Sequence, residues 1–270
     1  MGELYLVEMD RWFTDDGIPV RYFDDDWKYR GRSGGVGYEP TRPWCVMWHH
    51  TASHTGTDPW DDANYMVNIS ADAPIANVMV DREGDAWPLA GGPTNTNGKG
   101  RSRVFSKGTV PDNSMNSYAV GIEICNNGVG EEYPAVQMET AFDVSLCLMR
   151  HLSLVPDDCC THQDYAPDRK VDPATAAAVM GLWTPGSINS SGTWNVNDLR
   201  AEHQRRWSGD EGEDDEMTDA DFERIRQIVQ DELNKGTGEG QQDWPGTSRA
   251  VLKKLEDTYN EVRVVQEQLK

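Results

Sequence analysis

Four short apolar runs punctuate the first half of the chain: Cys45-Val46-Met47-Trp48-His49, Ile75 to Asp81, Ala86 to Ala90 and Ala119 to Asn126. Each has strand length and is bounded by turn residues such as Glu83-Gly84 and Asn126-Asn127-Gly128, which predicts four β-strands. Two segments carry a helical period instead. One is Trp60 to Ile69; in the other, Ala135 to Leu152, the residues Val136, Thr140, Val144, Leu148 and Leu152 recur at steps of four. Phe142, Leu146 and Met149 broaden that apolar stripe. Strands interspersed with helices predict an α/β or α+β layer in which helices cover a sheet. The first forty residues, where Trp12, Phe13, Trp27 and Tyr29 stand among many charges, read as an irregular wrapping segment.

The pattern changes at Ser208-Gly209-Asp210-Glu211-Gly212-Glu213-Asp214-Asp215-Glu216, where six of nine residues are acidic and none is apolar. Such a stretch is a solvated linker, and the domain boundary is placed there: a first domain over 1–207 with its core about 40–185, a linker over 208–216 and a helical segment over 217–270. In that last segment Thr218 and Asp221 form a variant capping box, followed by a stripe of Phe222, Ile225, Val229 and Leu233. Leu252, Leu255, Tyr259, Val262, Gln266 and Leu269 then alternate steps of three and four, the spacing of a coiled-coil seam. A helix packing back on its own domain fits this short pattern as well. Met217, directly after the purine-rich codons of an acidic run, is a candidate internal start.

Composition narrows the function. The 270 residues carry 46 acidic against 25 basic side chains, a formal charge of −21, which repels phosphate backbones and predicts no nucleic-acid partner. No apolar stretch approaches about eighteen residues, so no membrane partner is expected, and the start lacks the charge and apolar block of a signal peptide. Five cysteines without paired spacing suggest neither a disulfide framework nor a thiolate metal cage, and a reducing compartment is the simpler expectation.

Among groups that could carry chemistry, His49 and His50 end a strand, and His162 follows Cys159-Cys160-Thr161. Adjacent strand residues face opposite ways, so only one of His49 and His50 can point at a given site. Asp172 lies ten residues past His162. Two histidines and a carboxylate would make a three-ligand zinc site with one position open, as in metal hydrolases. A capped strand end, a surface histidine and a turn aspartate before Pro173 are the alternative, and spacing leaves both open. Glu123 sits amid apolar residues in Ala119-Val120-Gly121-Ile122-Glu123-Ile124-Cys125, where a carboxylate is costly to desolvate. It is either at a sheet end near water or a proton shuttle in a site. Lys170 reads equally as a solvated loop lysine.

Together these pieces resemble the zinc-dependent N-acetylmuramoyl-L-alanine amidases of the peptidoglycan-recognition-protein (type-2 amidase) fold, and within them the endolysins of phages that infect actinobacteria. The resemblance covers roughly 27–207 and rests on motifs in order: Trp48-His49-His50-Thr51-Ala52, the hairpin Asp81-Arg82-Glu83-Gly84-Asp85-Ala86-Trp87, Leu89-Ala90-Gly91-Gly92, Asn97-Gly98-Lys99-Gly100, Val120-Gly121-Ile122-Glu123 and Ala166-Pro167-Asp168-Arg169-Lys170-Val171-Asp172-Pro173. It implies an α/β fold with a central mixed β-sheet flanked by helices. By position it implies a zinc cofactor held by His49, His162 and Asp172, the aspartate standing where some relatives use cysteine. It further implies Glu123 as general base and Lys170 as oxyanion stabiliser. The chain departs from the family in carrying Ala76-Asn77 where many relatives have Tyr-His or Ala-His, and Asn95-Thr96-Asn97-Gly98 where many have Asn-His-Ala-Gly. Asn77, Thr96 and Asn97 are therefore candidates only for hydrogen bonds to substrate.

The implied activity is hydrolysis of the amide bond between the lactyl group of N-acetylmuramic acid and L-alanine, with bacterial peptidoglycan as partner. An endolysin held in the host cytoplasm until release to the wall fits an absent signal peptide and an appended tail. A cytosolic amidase recycling muropeptides, a wall-degrading component of a virion and a non-catalytic peptidoglycan-binding protein are the alternatives. Homo-oligomerisation through the heptad seam would raise wall avidity.

Overall fold

The structure, a computed structural model, describes residues 4–174, 183, 185 and 192–209. Met1–Gly209 forms one compact unit. The acidic run from 210 onward, the helices expected over 217–270 and Met217 lie outside the described residues.

Strands β1 (Cys45–His50), β2 (Val78–Val80), β3 (Ala86–Pro88), β4 (Arg103–Phe105), β5 (Gly108–Val110), β6 (Ala119–Ile124) and β7 (Cys159–Thr161) alternate with helices α1 (Met9–Asp15), α2 (Arg32–Gly35), α3 (Pro59–Asn64), α4 (Ala135–His151), α5 (His162–Tyr165) and α6 (Val196–Trp207). Five strands form one sheet in the order β3-β2-β6-β1-β7. β2, β6, β1 and β7 run parallel, and β3 returns antiparallel to β2 through the Glu83-Gly84 turn, so the sheet is mixed. β4 and β5 make a separate antiparallel hairpin. The fold is an α/β layer, a mixed central sheet with flanking helices, as expected from the sequence.

The two-residue period of the strands divides the sheet into unlike faces. Val46, Trp48, Val78, Val80, Val120, Ile122 and Ile124 share one face and pack under the stripe of α4 that includes Met138, Phe142, Leu146 and Met149. Trp48 is fully buried there, its ring 5.0 Å from that of Phe142. Burying a large aromatic of this kind contributes on the order of 3 kcal/mol. α6 closes the layer through His203, whose ring meets both Trp48 and Phe142 edge-on. Its Nδ1 donates to the Leu199 carbonyl at 2.8 Å and its Nε2 accepts from Ser145 Oγ at 2.8 Å. Ser145 Oγ in turn accepts from Trp48 Nε1 at 3.2 Å. The opposite face carries smaller apolar groups, Cys45, Met47, Ala119 and Cys160, and ends in His49 and Glu123.

Where structure and sequence pattern differ, the cause is local. The strands expected over Ile75 to Asp81 and Ala86 to Ala90 shrink to three residues each; beyond them Asn77 still pairs its main chain with Gly121 and Leu89, while its side chain bonds loop backbone. The first forty residues are part of the core rather than a wrapper. Met9 and Phe13, four apart on α1, are fully buried, Trp27 is buried as well, and Val20 bridges to Ala86 beside β3. α3 starts at an Asp58 cap and continues as a π-helical turn through Ile69. β7 and the β4–β5 hairpin are too short for periodicity to reveal.

Candidate active site

Three neighbouring parallel strands deliver the site. His49 and Glu123 are the penultimate residues of β1 and β6 and are direct register partners, so their side chains share one face of the sheet. His162 follows β7 directly as the first residue of α5, a turn capped by Thr161 Oγ1 accepting from Asp164 N at 3.1 Å. Asp172 lies in the loop after α5 and is tied back by the Gln163 N–H, which donates to its carbonyl at 3.0 Å.

The side chains of His49, His162 and Asp172 converge and are buried. Nδ1 of His49 lies 2.8 Å from Nδ1 of His162 and 3.1 Å from Oδ2 of Asp172, and the third edge, His162 Nδ1 to Asp172 Oδ2, is 2.9 Å. The outer nitrogens decide what this triangle is. His49 Nε2 faces Asn97 Oδ1 at 3.1 Å, and His162 Nε2 faces the Asn97 carbonyl at 3.0 Å. Both partners are acceptors, an arrangement that favours the proton on Nε2 of each ring and the Nδ1 lone pair turned inward. Two lone pairs and a carboxylate oxygen within about 3 Å of one another share no proton and repel unless a cation sits among them. The donor set, two imidazoles and one carboxylate, fits zinc. Burial, with the neighbouring His49, lowers the pKa of His162 to about 4, which keeps its ring neutral as a ligand requires.

Asn97 is itself held in place. Asn116 Oδ1 accepts from the backbone N–H groups of Asn97 and Gly98 at 2.8 and 3.1 Å. Arg169 donates through Nε to the Lys99 carbonyl at 2.6 Å and through Nη2 to the Asn97 carbonyl at 2.5 Å. Arg169 Nη2 also lies 3.3 Å from His162 Nε2, within hydrogen-bond reach of the same ring nitrogen that faces the Asn97 carbonyl. Asn97, expected to meet substrate, is buried and spends its Oδ1 and carbonyl on the two histidines. Neither Asn116 nor Arg169 stood out in the sequence as a site residue; the family motif holding Arg169 was the available signal.

Glu123 is buried, and its Oε2 has no hydrogen-bond partner among the described residues. Burial, reinforced by the negative charge of Asp172, pushes its pKa well above the ordinary carboxylate value, while Lys170 pulls the other way. An unpartnered carboxyl with a raised pKa, beside three converging ligand atoms, is suited to moving a proton near neutral pH.

The remaining residues expected to contact substrate are placed differently. Asn77 is fully buried, and its Nδ2 donates to the carbonyls of Ala90 and Gly92 at 2.9 and 2.7 Å. Its Oδ1 accepts from Gly121 N at 2.9 Å and from Thr94 Oγ1 at 3.2 Å. Removing that amide would leave three backbone groups unpaired, at about 1–3 kcal/mol each, so its place in the fold accounts for the residue. Thr96 shares its hydroxyl with that of Thr94 and lies against Gly121, where an added Cβ would stand 2.7 Å from Thr96 Oγ1.

Several solved structures are similar to the chain. A selenomethionine derivative of AmpD is 18% identical, with 66% of this chain and 97% of that chain covered and a TM-score of 0.43. AmpDh3 from Pseudomonas aeruginosa is 17% identical over 77% of this chain and 73% of that one, with a TM-score of 0.42. The endolysin amidase LysCS from Clostridium intestinale is 16% identical over 60% and 83%, with a TM-score of 0.36. No curated protein sequence matches the chain. The sequence model described as N-acetylmuramoyl-L-alanine amidase (Amidase_2) matches residues 39–175, more than half of the chain and the stretch that holds every group of the site. The chain therefore belongs to the N-acetylmuramoyl-L-alanine amidase family.

Proposed function

We propose that this amidase is zinc-dependent and cuts the bond between the lactyl group of N-acetylmuramic acid and L-alanine in peptidoglycan, as an endolysin. The observation that carries the reading is the inward convergence of His49 Nδ1, His162 Nδ1 and Asp172 Oδ2 beside the unpartnered Glu123. His49, His162 and Asp172 would hold the ion. Bound zinc supplies Lewis-acid polarisation of an amide carbonyl and makes water more acidic.

The chain's own groups do the rest. Glu123 takes a proton from the attacking water as its oxygen bonds to the carbonyl carbon, and returns that proton to the departing alanine nitrogen as the C–N bond breaks. A carboxylic acid and an amine result, with no other reactant consumed. Lys170, whose charge is felt at Glu123, provides positive charge where the tetrahedral oxygen becomes negative. The endolysin reading is supported by the acidic run and helix-patterned stretch after Gly209, which a recycling enzyme working on soluble muropeptides does not need.

The test is hydrolysis of purified peptidoglycan, scoring new L-alanine amino termini and new reducing sugar ends side by side. Amino termini without reducing ends, abolished by a chelator and restored by zinc, are expected. Glu123→Gln is expected to lower kcat by at least about 100-fold while retaining metal, in line with loss of a general base. No cleavage by zinc-loaded protein would overturn the enzymatic reading in favour of a peptidoglycan-binding protein, and cleavage of soluble muropeptides alone would place it in recycling.

A further inference from the structure

The chemistry above uses one histidine of the His49-His50 pair and leaves the other without a task. His50 faces the α4 side of the sheet, away from His49, as the strand period requires. Its Nδ1 accepts the backbone N–H of Ala174 at 3.1 Å. Tyr133, fully buried just ahead of α4, donates its hydroxyl to the Ala174 carbonyl at 3.2 Å and lies 3.4 Å from the same Nδ1. Both backbone polar groups of Ala174 are thereby held by two side chains, one at the end of β1 and one just ahead of α4. Two residues earlier, Asp172 Oδ2 meets His49. The stretch Asp172-Pro173-Ala174 thus crosses the end of β1, gripped at 172 by one strand residue and at 174 by the next.

Two features show that this grip is built rather than incidental. Pro173 has no N–H, so the Ala174 N–H is the first backbone donor after the aspartate, and it is the one His50 takes. Gly128 makes room for the ring: its φ is +71°, and a Cβ there would stand 2.1 Å from His50 Cε1. A side chain at 128 would be strained by its backbone and would evict His50.

We propose that His50 is a positioning residue which, with Tyr133, clamps the Ala174 peptide and so holds the Asp172 carboxylate opposite His49 and His162. The clamp stands on the geometry alone; its consequence for metal rests on the zinc reading of the same site. Outer partners of this kind are worth 10–100-fold in metal affinity.

The experiment uses the full chain and compares His50→Asn, His50→Leu and Tyr133→Phe with the parent. Asparagine can place an acceptor oxygen where Nδ1 stands, whereas leucine fills the space without one. The first readout is hydrogen exchange of the Ala174 amide in metal-free protein. The second is affinity for zinc and cobalt, by competition with a chromophoric chelator, together with the visible spectrum of the cobalt form. His50→Leu is expected to speed Ala174 exchange at least tenfold and weaken metal binding about 10–100-fold. His50→Asn should stay within a few-fold of the parent in both, and Tyr133→Phe should weaken binding several-fold with an altered cobalt spectrum. Leucine and parent proteins alike in exchange or in affinity, or asparagine as poor as leucine, would overturn the proposal. A parent that takes up no metal would overturn the zinc reading instead, and the exchange rates would still decide the clamp. Should His50→Leu fail to fold, His50→Asn against Tyr133→Phe carries the same comparison.

Discussion

Asn97 offers a side-chain amide oxygen to one histidine and a main-chain carbonyl to the other, so one residue orients both rings. Asn97→Ala keeps the carbonyl and loses the amide, freeing His49 to rotate or to protonate at Nδ1. The expected result is metal affinity lowered about 10–100-fold, with melting of the metal-free protein little changed, checked by chelator competition and calorimetry. Affinity unchanged within twofold would show that the amide does not orient His49. The sequence pattern alone showed a polar loop residue beside a glycine, which is equally what a substrate contact looks like. Its inward aim depends on Asn116 and Arg169, which come from other parts of the chain. His49, His162 and Asp172 were legible as a group because their motifs follow one another in the order the family keeps. The difference between His49 and His50 was readable only as a parity rule, and the sheet supplies the parity.

At the scale of elements, long runs with strong periods were the readable ones. The stripe of α4 from Thr140 through Leu148 and the six apolar-rich residues of β6 stand where the pattern put them, whereas Val136, expected to open that stripe, is exposed. β7 was hidden because three residues carry no period, and α6 because its sequence is mostly polar with a few inward groups such as Leu199 and His203. That polar helix nevertheless makes a pH-sensitive joint. Burial lowers the pKa of His203 to about 4 from an ordinary 6.5, so between these values the unfolded chain binds a proton that the folded chain refuses. The contribution of this ring is whole above the unfolded value and is lost as pH falls from about 6.5 toward 4. At pH 5 the loss is about 2 kcal/mol. His162 acts in the same direction in metal-free protein. Denaturant melts at pH 7.5 and pH 5 should therefore show parent stability falling by about 2 kcal/mol more than that of His203→Gln. Equal losses would clear His203 of the effect.

Across the whole molecule, charge is the feature that composition described least well. The −21 total hides a local cationic spot: Arg169 reaches within 3.3 Å of His162 and the charge of Lys170 is felt there, while the Arg169 guanidinium ties its loop to the Lys99 carbonyl some seventy residues away. Proximity of that kind is a property of the loops' packing and leaves no trace in a count. Among the described residues, every site group lies before residue 175, within the compact unit that ends at Gly209. A protein truncated after Gly209 is expected to keep kcat on a soluble muropeptide within about twofold and to lose avidity for intact wall, as measured by sedimentation with purified sacculi. Loss of hydrolysis on the small substrate would show that 210–270 serve the catalytic domain itself, and light scattering on the full chain would report whether they associate.

The register pairing of His49 with Glu123 has a further consequence for how such a protein can diversify. Adjacent strands are spaced by their hydrogen-bond ladder at about 4.8 Å, a distance that no side-chain substitution outside the sheet can alter. His49 and Glu123 are thus mounted on the least negotiable part of the chain, while residues 94–99 and 166–171, which border them, are loops. Change in those loops is therefore confined to positions other than Asn97, Arg169 and the segment gripped at Ala174, whose bonds reach back to the strand histidines and the turn after β7.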